Sequence, residues 1–504
     1  MLRLTPLPCE TVAVLRKERI RAQEVLLKST SAQALMTLAG ESAARLALAY
    51  APHARRIWVA AGPGNNGGDG LQAACFLHQW GLPVRVSLMG LPEQLPTDAR
   101  AAWQNAVNAG VCIDDQAPEE WIAQMSAQDL CIDALLGIGS QRAPSLPMQA
   151  WIERMNQCAA PVLALDLPTG LDADSGQILG NTPTPAHVVH ADITLTLLAA
   201  KPGLFMGHGR DVCGDIWLDT LSRACPGQVC EPTADAWLNP PWARHVKHHA
   251  SHKGSHGDVA IVGGEPMVLH GMGMTGAAVL AARAALHSGA GRVILSLLNA
   301  TTESKAAEPD VMQRPFQHLN LPQLTVVAGC GGGQAIRDVL ADVLQHSARL
   351  VLDADGLNAL AENPDWQAIL RARGDAPGCK FTVITPHPLE AARLLGCSVQ
   401  TVQQDRLCAA QTLSSQLQCT VVLKGSGTVI ASPGEQLRIN TSGNGLLATG
   451  GTGDVLAGLT GSRLAQGLNA HQAACAAAWQ HGDLADHWPK GQALTASSLA
   501  ERLL

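Results

Sequence analysis

The stretch Asn440-Thr-Ser-Gly-Asn-Gly-Leu-Leu-Ala-Thr-Gly-Gly-Thr-Gly-Asp454 carries five glycines, at 443, 445, 450, 451 and 453, and runs into an apolar segment at 455–464. Glycines ahead of a helix let backbone N–H groups point outward, and the helix start adds partial positive charge, so the stretch predicts an anion site, most often for phosphate. An acid in the middle of such a site repels the ligand that the glycines attract. Its simplest chemical use is to take a proton from a hydroxyl beside the phosphate, which makes Asp454 a candidate general base. The plain alternative is a helix N-cap, because Asp is a preferred cap; the two roles are compatible.

Outward from this stretch, apolar runs alternate with helical patterns. In the C-terminal half, runs at 258–262, 293–297, 324–328, 350–352 and 381–384 read as strands, and 275–289 as an Ala-rich helix. Three of these strands end in distinctive loops: Gly329-Cys-Gly-Gly-Gly333, Asp353-Ala-Asp-Gly-Leu-Asn358 and Thr385-Pro-His-Pro-Leu-Glu390. A further strand, Thr420-Val-Val-Leu-Lys-Gly-Ser-Gly-Thr428, ends in Lys424 and a glycine turn suited to phosphates. His387 stands between two prolines at a strand end; a structural and a ligand-facing role are both open at this point.

The N-terminal half repeats the pattern. Residues 16–50 read as mostly helical, with Leu35, Leu38, Ala39, Ser42 and Leu46 forming one packing stripe. The apolar run 57–61 meets the loop Gly62-Pro-Gly-Asn-Asn-Gly-Gly-Asp-Gly70, and a helix is expected at 71–80. Strands follow at 84–89, 130–134, 162–166 and 193–198. Continuously apolar strands alternating with helices predict a parallel sheet covered on both faces, with ligands beyond the C-terminal strand ends. Asn65, Asn66, Asp69, Asp133, Asp166 and Thr169 fall there. Gly62, Gly64 and Gly67 match the spacing of a dinucleotide fingerprint only weakly. Asn66, Asp133 and Thr169 offer the oxygen ligands that hard cations choose, and their single formal charge suits a monovalent ion.

A chain of 504 residues suggests two to four domains, and its net charge of −7 implies no basic face for nucleic acid. One Tyr and four Phe argue against single-strand binding by stacking. No apolar run reaches transmembrane length, and the start lacks a secretory segment, so a cytoplasmic protein away from the membrane is expected. Fourteen cysteines without a C-x-x-C pair read as small buried hydrophobes. The pattern decays at 221–245, around Pro226, Pro232, Pro240 and Pro241, which divides the chain into a first domain at 1–222, a linker at 223–241 and a second domain at 242–504. Histidines at 245, 248, 249, 252, 256 and 270 read as a solvated loop, since no carboxylate or Cys completes a metal set.

These motifs resemble a known pair of enzymes. Residues 1 to about 220 resemble the NAD(P)H-hydrate epimerase domain, through G-x-G-N-N-G-G-D-G, D-A-L-L-G-x-G at 133–139 and D-L-P-T-G at 166–170. Residues from about 240 resemble the ADP-dependent NAD(P)H-hydrate dehydratase, through Ser251-His-Lys-Gly-Ser-His-Gly257, Met274-Thr-Gly-Ala277, the D-A-D-x-L-N loop, T-P-H-P-x-E, K-G-S-G-T and G-G-T-G-D. The order is that of the fused bifunctional repair enzymes. The resemblance implies an α/β protein of two domains, a Rossmann-like parallel-sheet epimerase followed by a ribokinase-like domain. It implies hydrated NADH or NADPH and ADP as partners, with no nucleic acid or membrane, in a homo-oligomer. The epimerase of that family interconverts R and S hydrates, and its dehydratase converts the S form to NAD(P)H while ADP becomes AMP and phosphate.

The family's hydrate-binding positions map onto Asn65, Asn66, Gly67, Gly68, Asp69, Gly137, Ile138, Gly139, Ser140, Gln141, Arg142, Ala143 and Asp166 in the first domain, with Asp166 the acid–base candidate. Its K+ ligands map onto Asn66, Asp133 and Thr169. In the second domain the hydrate positions map onto Ala277, Gly331, His387 and Asp454, and the nucleotide positions onto Lys424, Gly425, Ser426, Gly427, Thr428 and Gly453, with Mg2+ expected beside ADP. Gly329-Cys-Gly-Gly-Gly333 departs from the usual G-P-G-L-G, and Cys330 and Gly332 are expected to loosen that turn. Two other readings compete: a ribokinase-type small-molecule kinase, and a non-catalytic binding module at the N-terminus.

Overall fold

Eight short strands, most of them aliphatic along their whole length, build the first sheet: β1 (Leu2–Arg3), β2 (Ile57–Ala61), β3 (Val84–Leu88), β4 (Cys112–Asp114), β5 (Leu130–Ala134), β6 (Val162–Leu165), β7 (Ile193–Leu197) and β8 (Asp215–Asp219). Every residue of β2, β5, β6 and β7 is buried, as strands covered on both faces require. Their order is β1-β8-β7-β6-β5-β2-β3-β4. All neighbours are parallel except β1, which runs antiparallel to β8 at the edge. The structure is a computed structural model, and it describes residues 1–504 except 6–11, 31–33, 181–186, 223–232, 244–246, 267–272, 300–307, 375–380 and 504. The chain divides into two units, Met1–Ala236 and Trp237–Leu504.

Two helices, α1 (Lys17–Thr30) and α2 (Leu35–Tyr50), occupy most of the stretch expected to be helical at 16–50, and the apolar stripe of α2 is buried as read. The helix expected at 71–80 begins six residues earlier: α3 is Asn65–Gln79. Glycine disfavours helix, which hid this start. Tertiary contact reverses the preference: a Cβ on Gly67 would lie 1.9 Å from the Gly62 carbonyl oxygen, and one on Gly68 would lie 2.8 Å from the Ala99 Cα of α4 (Thr97–Asn108). These glycines let the first turn of α3 sink onto the strand end.

The second unit carries β9 (Ala236–Leu238), β10 (Asp258–Gly263), β11 (Arg292–Leu297), β12 (Met312–Gln313), β13 (Thr325–Ala328), β14 (Arg349–Leu352), β15 (Phe381–Ile384), β16 (Thr420–Leu423), β17 (Val429–Ala431) and β18 (Arg438–Ile439). They stand in the order β12-β11-β10-β13-β14-β15-β16-β17-β18-β9. The run from β12 to β16 is parallel, and β17 is antiparallel to both neighbours. Within the segment read as linker, Trp237 and Leu238 pair in parallel with Arg438 and Ile439, so part of it is a sheet edge. Helices α5 (Thr275–His287) and α6 (Thr452–Ala465) pack Ala281, Ala282, Val455 and Leu459 into the core.

Ser251-His-Lys-Gly-Ser-His-Gly257 is a capped turn: His252 Nδ1 accepts from Gly254 N at 3.1 Å, and His256 Nε2 lies 3.1 Å from Ser251 Oγ. His245 and His270 of the expected histidine loop lie outside the described residues.

Candidate active sites

The C-terminal ends of β2, β5 and β6 surround a cavity of about 490 Å³ in the first unit. Asn65, Asn66 and Asp69 of α3, the loop Gly137, Ile138, Gly139 and Ser140, and Asp166 all line it. Gly67 and Gly68 are buried in packing, and Gln141, Arg142 and Ala143 are not among the cavity's lining residues. Asp69 is pushed well above the usual carboxyl range, first by burial and then by the charge of Asp166.

Asp166 sits just past β6 with φ of 70°, a left-handed conformation that a non-glycine residue adopts at a cost. Its Oδ2 accepts from Ile138 N at 3.2 Å, and its Oδ1 lies 2.7 Å from the ammonium of Lys201. Lys201 is wholly buried and donates also to Thr196 Oγ1 at 2.7 Å and to the Leu197 carbonyl at 3.0 Å. Sequence reasoning missed this lysine; the signal was a lone cation directly after the apolar run at 193–200.

Asp133 and Thr169 bond to each other and are not among the residues that line the cavity. Thr169 N donates to Asp133 Oδ2 at 2.8 Å and Thr169 Oγ1 to Asp133 Oδ1 at 2.7 Å, while Leu136 N donates to Thr169 Oγ1 at 2.9 Å. Burial raises the Asp133 carboxyl to about 6. Asn66, also buried, has neither side-chain amide atom hydrogen-bonded among the described residues. An orphaned amide oxygen, a buried carboxylate and a hydroxyl fit a hard monovalent cation.

In the second unit, Lys424 at the end of β16 reaches Asp353 Oδ1 at 2.7 Å. A Cβ on Gly453 would lie 3.4 Å from Lys424 Nζ, so Gly453 borders the same ammonium. Asp454 is the third residue of α6, whose N-cap is Gly451 with φ of 91°; the capping alternative for Asp454 therefore fails. Burial, then Asp353, raises the Asp454 carboxyl to about 6, against a smaller opposing pull from Cys330 and Lys424. Gly331 comes next to Ala277: with φ of 58°, any Cβ there would lie 3.0 Å from the Ala277 Cβ.

His387 is the N-cap of α7 (Pro388–Leu395). Its Nδ1 accepts from Leu389 N at 3.1 Å and Glu390 N at 3.3 Å, which leaves Nε2 to donate to Glu390 Oε1 at 3.2 Å. Burial, aided by Lys424, lowers its pKa and keeps the ring neutral. The structural role is thus realised at a position electrostatically coupled to Lys424 and Asp353. Gly425 and Ser426 are exposed at the turn after Lys424, Gly425 with φ of 138° and Gly427 with φ of 70°, and Thr428 Oγ1 donates to Gly425 O at 3.2 Å. The buried Arg406, also missed from sequence, braces this turn by donating to the carbonyls of Leu423 at 3.1 Å and Lys424 at 3.2 Å.

Two α/β units, each with a carboxylate and a lysine at strand ends, define a two-domain enzyme of acid–base type. Residues 266–504 match the family described as NAD(P)H-hydrate dehydratase, and residues 32–203 the family described as YjeF-related protein N-terminus. The bifunctional NAD(P)H-hydrate repair enzyme Nnr of Escherichia coli (strain K12) is 36% identical over 473 residues, spanning 90% of this chain and 84% of that one. The enzyme of the same name from Coxiella burnetii is 34% identical over 480 residues, 90% of this chain and 89% of that one. A solved ADP/ATP-dependent NAD(P)H-hydrate dehydratase from Bacillus subtilis, co-crystallised with ATP/Mg2+, is 28% identical, with a TM-score of 0.43, over 51% of this chain and 91% of that chain. The chain belongs to the family of bifunctional NAD(P)H-hydrate repair enzymes, which join an isomerase to a lyase.

Proposed function

We propose that the two reactions of this family divide between the two units. Met1–Ala236 interconverts R and S hydrates of NADH and NADPH, and Trp237–Leu504 removes water from the S form while ADP becomes AMP and phosphate. The observation that carries this reading is that each unit gathers its own carboxylate among its own polar groups: Asp166 over a cavity in the first, and Asp454 beside Lys424 and Asp353 in the second.

In the first unit, Asp166 takes the proton from the C6 hydroxyl. The C6–N1 bond opens with its electron pair on N1, the same proton passes to N1, and closure on the other face gives the other epimer. The clamp by Lys201 and Ile138 N holds the carboxylate aimed during this exchange. Potassium, held by Asn66, Asp133 and Thr169, would neutralise the buried Asp133 charge.

In the second unit, hydroxide is too poor a leaving group to depart unaided. Asp454 takes the proton of the C6 hydroxyl, the oxygen attacks the β-phosphorus of ADP, and AMP leaves; Mg2+ bound with the nucleotide would supply charge neutralisation on the phosphates. Lys424 and the N–H groups around Gly453 stabilise the charge that builds on phosphate, which then departs from C6 as the ring loses its C5 proton. Gly425, Ser426, Gly427 and Thr428 form the nucleotide turn, and Ala277, Gly331 and His387 border the hydrate. A cytoplasmic setting and assembly into a homo-oligomer complete the reading; light scattering tests the second.

Incubation of the purified chain with mixed R and S hydrates decides the function. With ADP, all hydrate returns to reduced nicotinamide with release of phosphate. Without ADP, only R and S equilibrate. Accumulation of a stable phosphorylated product would favour the small-molecule kinase reading instead.

A further inference from the structure

Cys330 lies in the glycine turn at 329–333, and the reaction as derived leaves its thiol without a task. The side chain is wholly buried at the end of β13. Its Sγ, one oxygen of Asp353 and one of Asp454 lie within 4.8 Å of one another. The backbone fixes this placement: Cys330 O accepts from Gly264 N at 3.1 Å, and Gly331 O accepts from Glu265 N at 2.7 Å. The neighbouring Gly332 N–H bonds to Gly329 O at 3.0 Å, and a Cβ on Gly332 would lie 2.9 Å from the Ile336 Cβ.

The two carboxylates differ in what balances them. Asp353 has the Lys424 ammonium at 2.7 Å, whereas Asp454 has no ion pair among the described residues. Burial and both acids hold the Cys330 thiol well above its usual range, so its hydrogen stays on sulfur as a donor.

We propose that the Cys330 S–H donates to the Asp454 carboxylate and acts as a positioning residue for it, keeping the base ionised and turning its free lone pair toward the substrate hydroxyl. This rests on the reading of Asp454 as the base. The charged and titratable groups that face Asp454 are Asp353, which caps the helix Ala354–Glu362 where a loop was expected at 353–358, Asp355 in the first turn of that helix, Lys424 at the end of β16, and Cys330 itself. The two acids oppose ionisation of Asp454; Lys424 and the thiol favour it. Removal of the thiol therefore moves the acid limb of the dehydration rate to higher pH.

The test uses the full chain, Cys330→Ala and Cys330→Ser, with kcat for the S hydrate at saturating Mg·ADP measured across pH 5 to 8 as the readout. Thermal melts of the same preparations with and without ADP report that the second unit, which carries Cys330, is folded. In Cys330→Ala the midpoint should rise by about half a pH unit or more, the size of a weak donor's effect on a charged acceptor, with the KM for ADP little changed. An unmoved midpoint would overturn the proposal. Cys330→Ser keeps a donor of nearly the same shape, so its midpoint should stay at or below that of the parent chain; a rise there overturns the proposal too, and this variant decides alone if the alanine form does not fold. Asp454→Asn separates the two levels: if that variant still turns over, the base reading fails, whereas an inactive Asp454→Asn beside an unshifted Cys330→Ala refutes only the role of the thiol.

Discussion

Replacing Asp454 by Asn removes one charge and one proton acceptor and little else, since the cap of α6 belongs to Gly451 and the side-chain shape is kept. As general base, Asp454 is worth roughly 10²–10⁴-fold in rate, so dehydration of the S hydrate should fall by that factor. The pH dependence follows from the raised carboxyl. With a midpoint at about 6, about a tenth of Asp454 is ionised at pH 5 and about nine tenths at pH 7, so the parent rate should rise roughly tenfold over that interval. Stability runs the other way. A carboxyl raised above its unfolded value contributes stability that is fully present below the unfolded pKa and is lost as pH rises through about 6. Asp454→Asn removes the uncompensated ionised form, so at pH 7.5 the variant should match or exceed the parent, by on the order of 1–2 kcal/mol after screening of a half-buried group. Rates on S hydrate plus ADP, beside thermal melts with and without ADP, measure both. Near-parental turnover, or a melt that collapses at pH 7.5, would refute the reasoning.

Three further outcomes are expected. Asp133→Asn should cut potassium-dependent epimerisation by on the order of 10–100-fold and leave dehydration unchanged; equal loss of both in a folded variant would speak against a local cation site. Lys201→Met leaves the Asp166 charge without its partner, so epimerisation should fall and urea unfolding of the first unit should register about 3–5 kcal/mol of lost stability, partly restored in the double variant with Asp166→Asn; simple additivity of the two would show that the pair does not couple. Gly67→Ala should destabilise the first unit by about 1–3 kcal/mol, since its Cβ would stand 1.9 Å from a carbonyl oxygen, and a change within measurement error would mean that α3 can shift away from β2.

The parallel strands were legible because a strand buried on both faces must be apolar throughout, and β2, β5 and β15 fall where the runs 57–61, 130–134 and 381–384 stand. The start of α3 was not, because local propensity reads Asn65-Asn-Gly-Gly-Asp-Gly70 as a loop while close approach to Gly62 and Ala99 selects a helix from those same glycines. Acids at strand ends stood out as charges in apolar context, but their partners did not. Lys201 lies 35 positions beyond Asp166 in an undistinguished Lys-Pro-Gly, and only the return of the chain through β7 brings them together.

Each unit thus sets a lysine ammonium 2.7 Å from a strand-end carboxylate, yet the two lysines face different tasks. Lys201 pairs with Asp166 itself, the carboxylate proposed to exchange the proton, and holds it in one orientation, as an equilibrium between two epimers would require. Lys424 pairs with the neighbour, Asp353, and leaves Asp454 to burial and the Cys330 thiol. Burial raises the Asp454 carboxyl, which suits the proposed step, the removal of a proton from a weakly acidic hydroxyl before phosphate transfer. Lys424 borders Gly453, so in the proposed reaction one lysine would offset the acid pair before ADP binds and the phosphoryl charge after it.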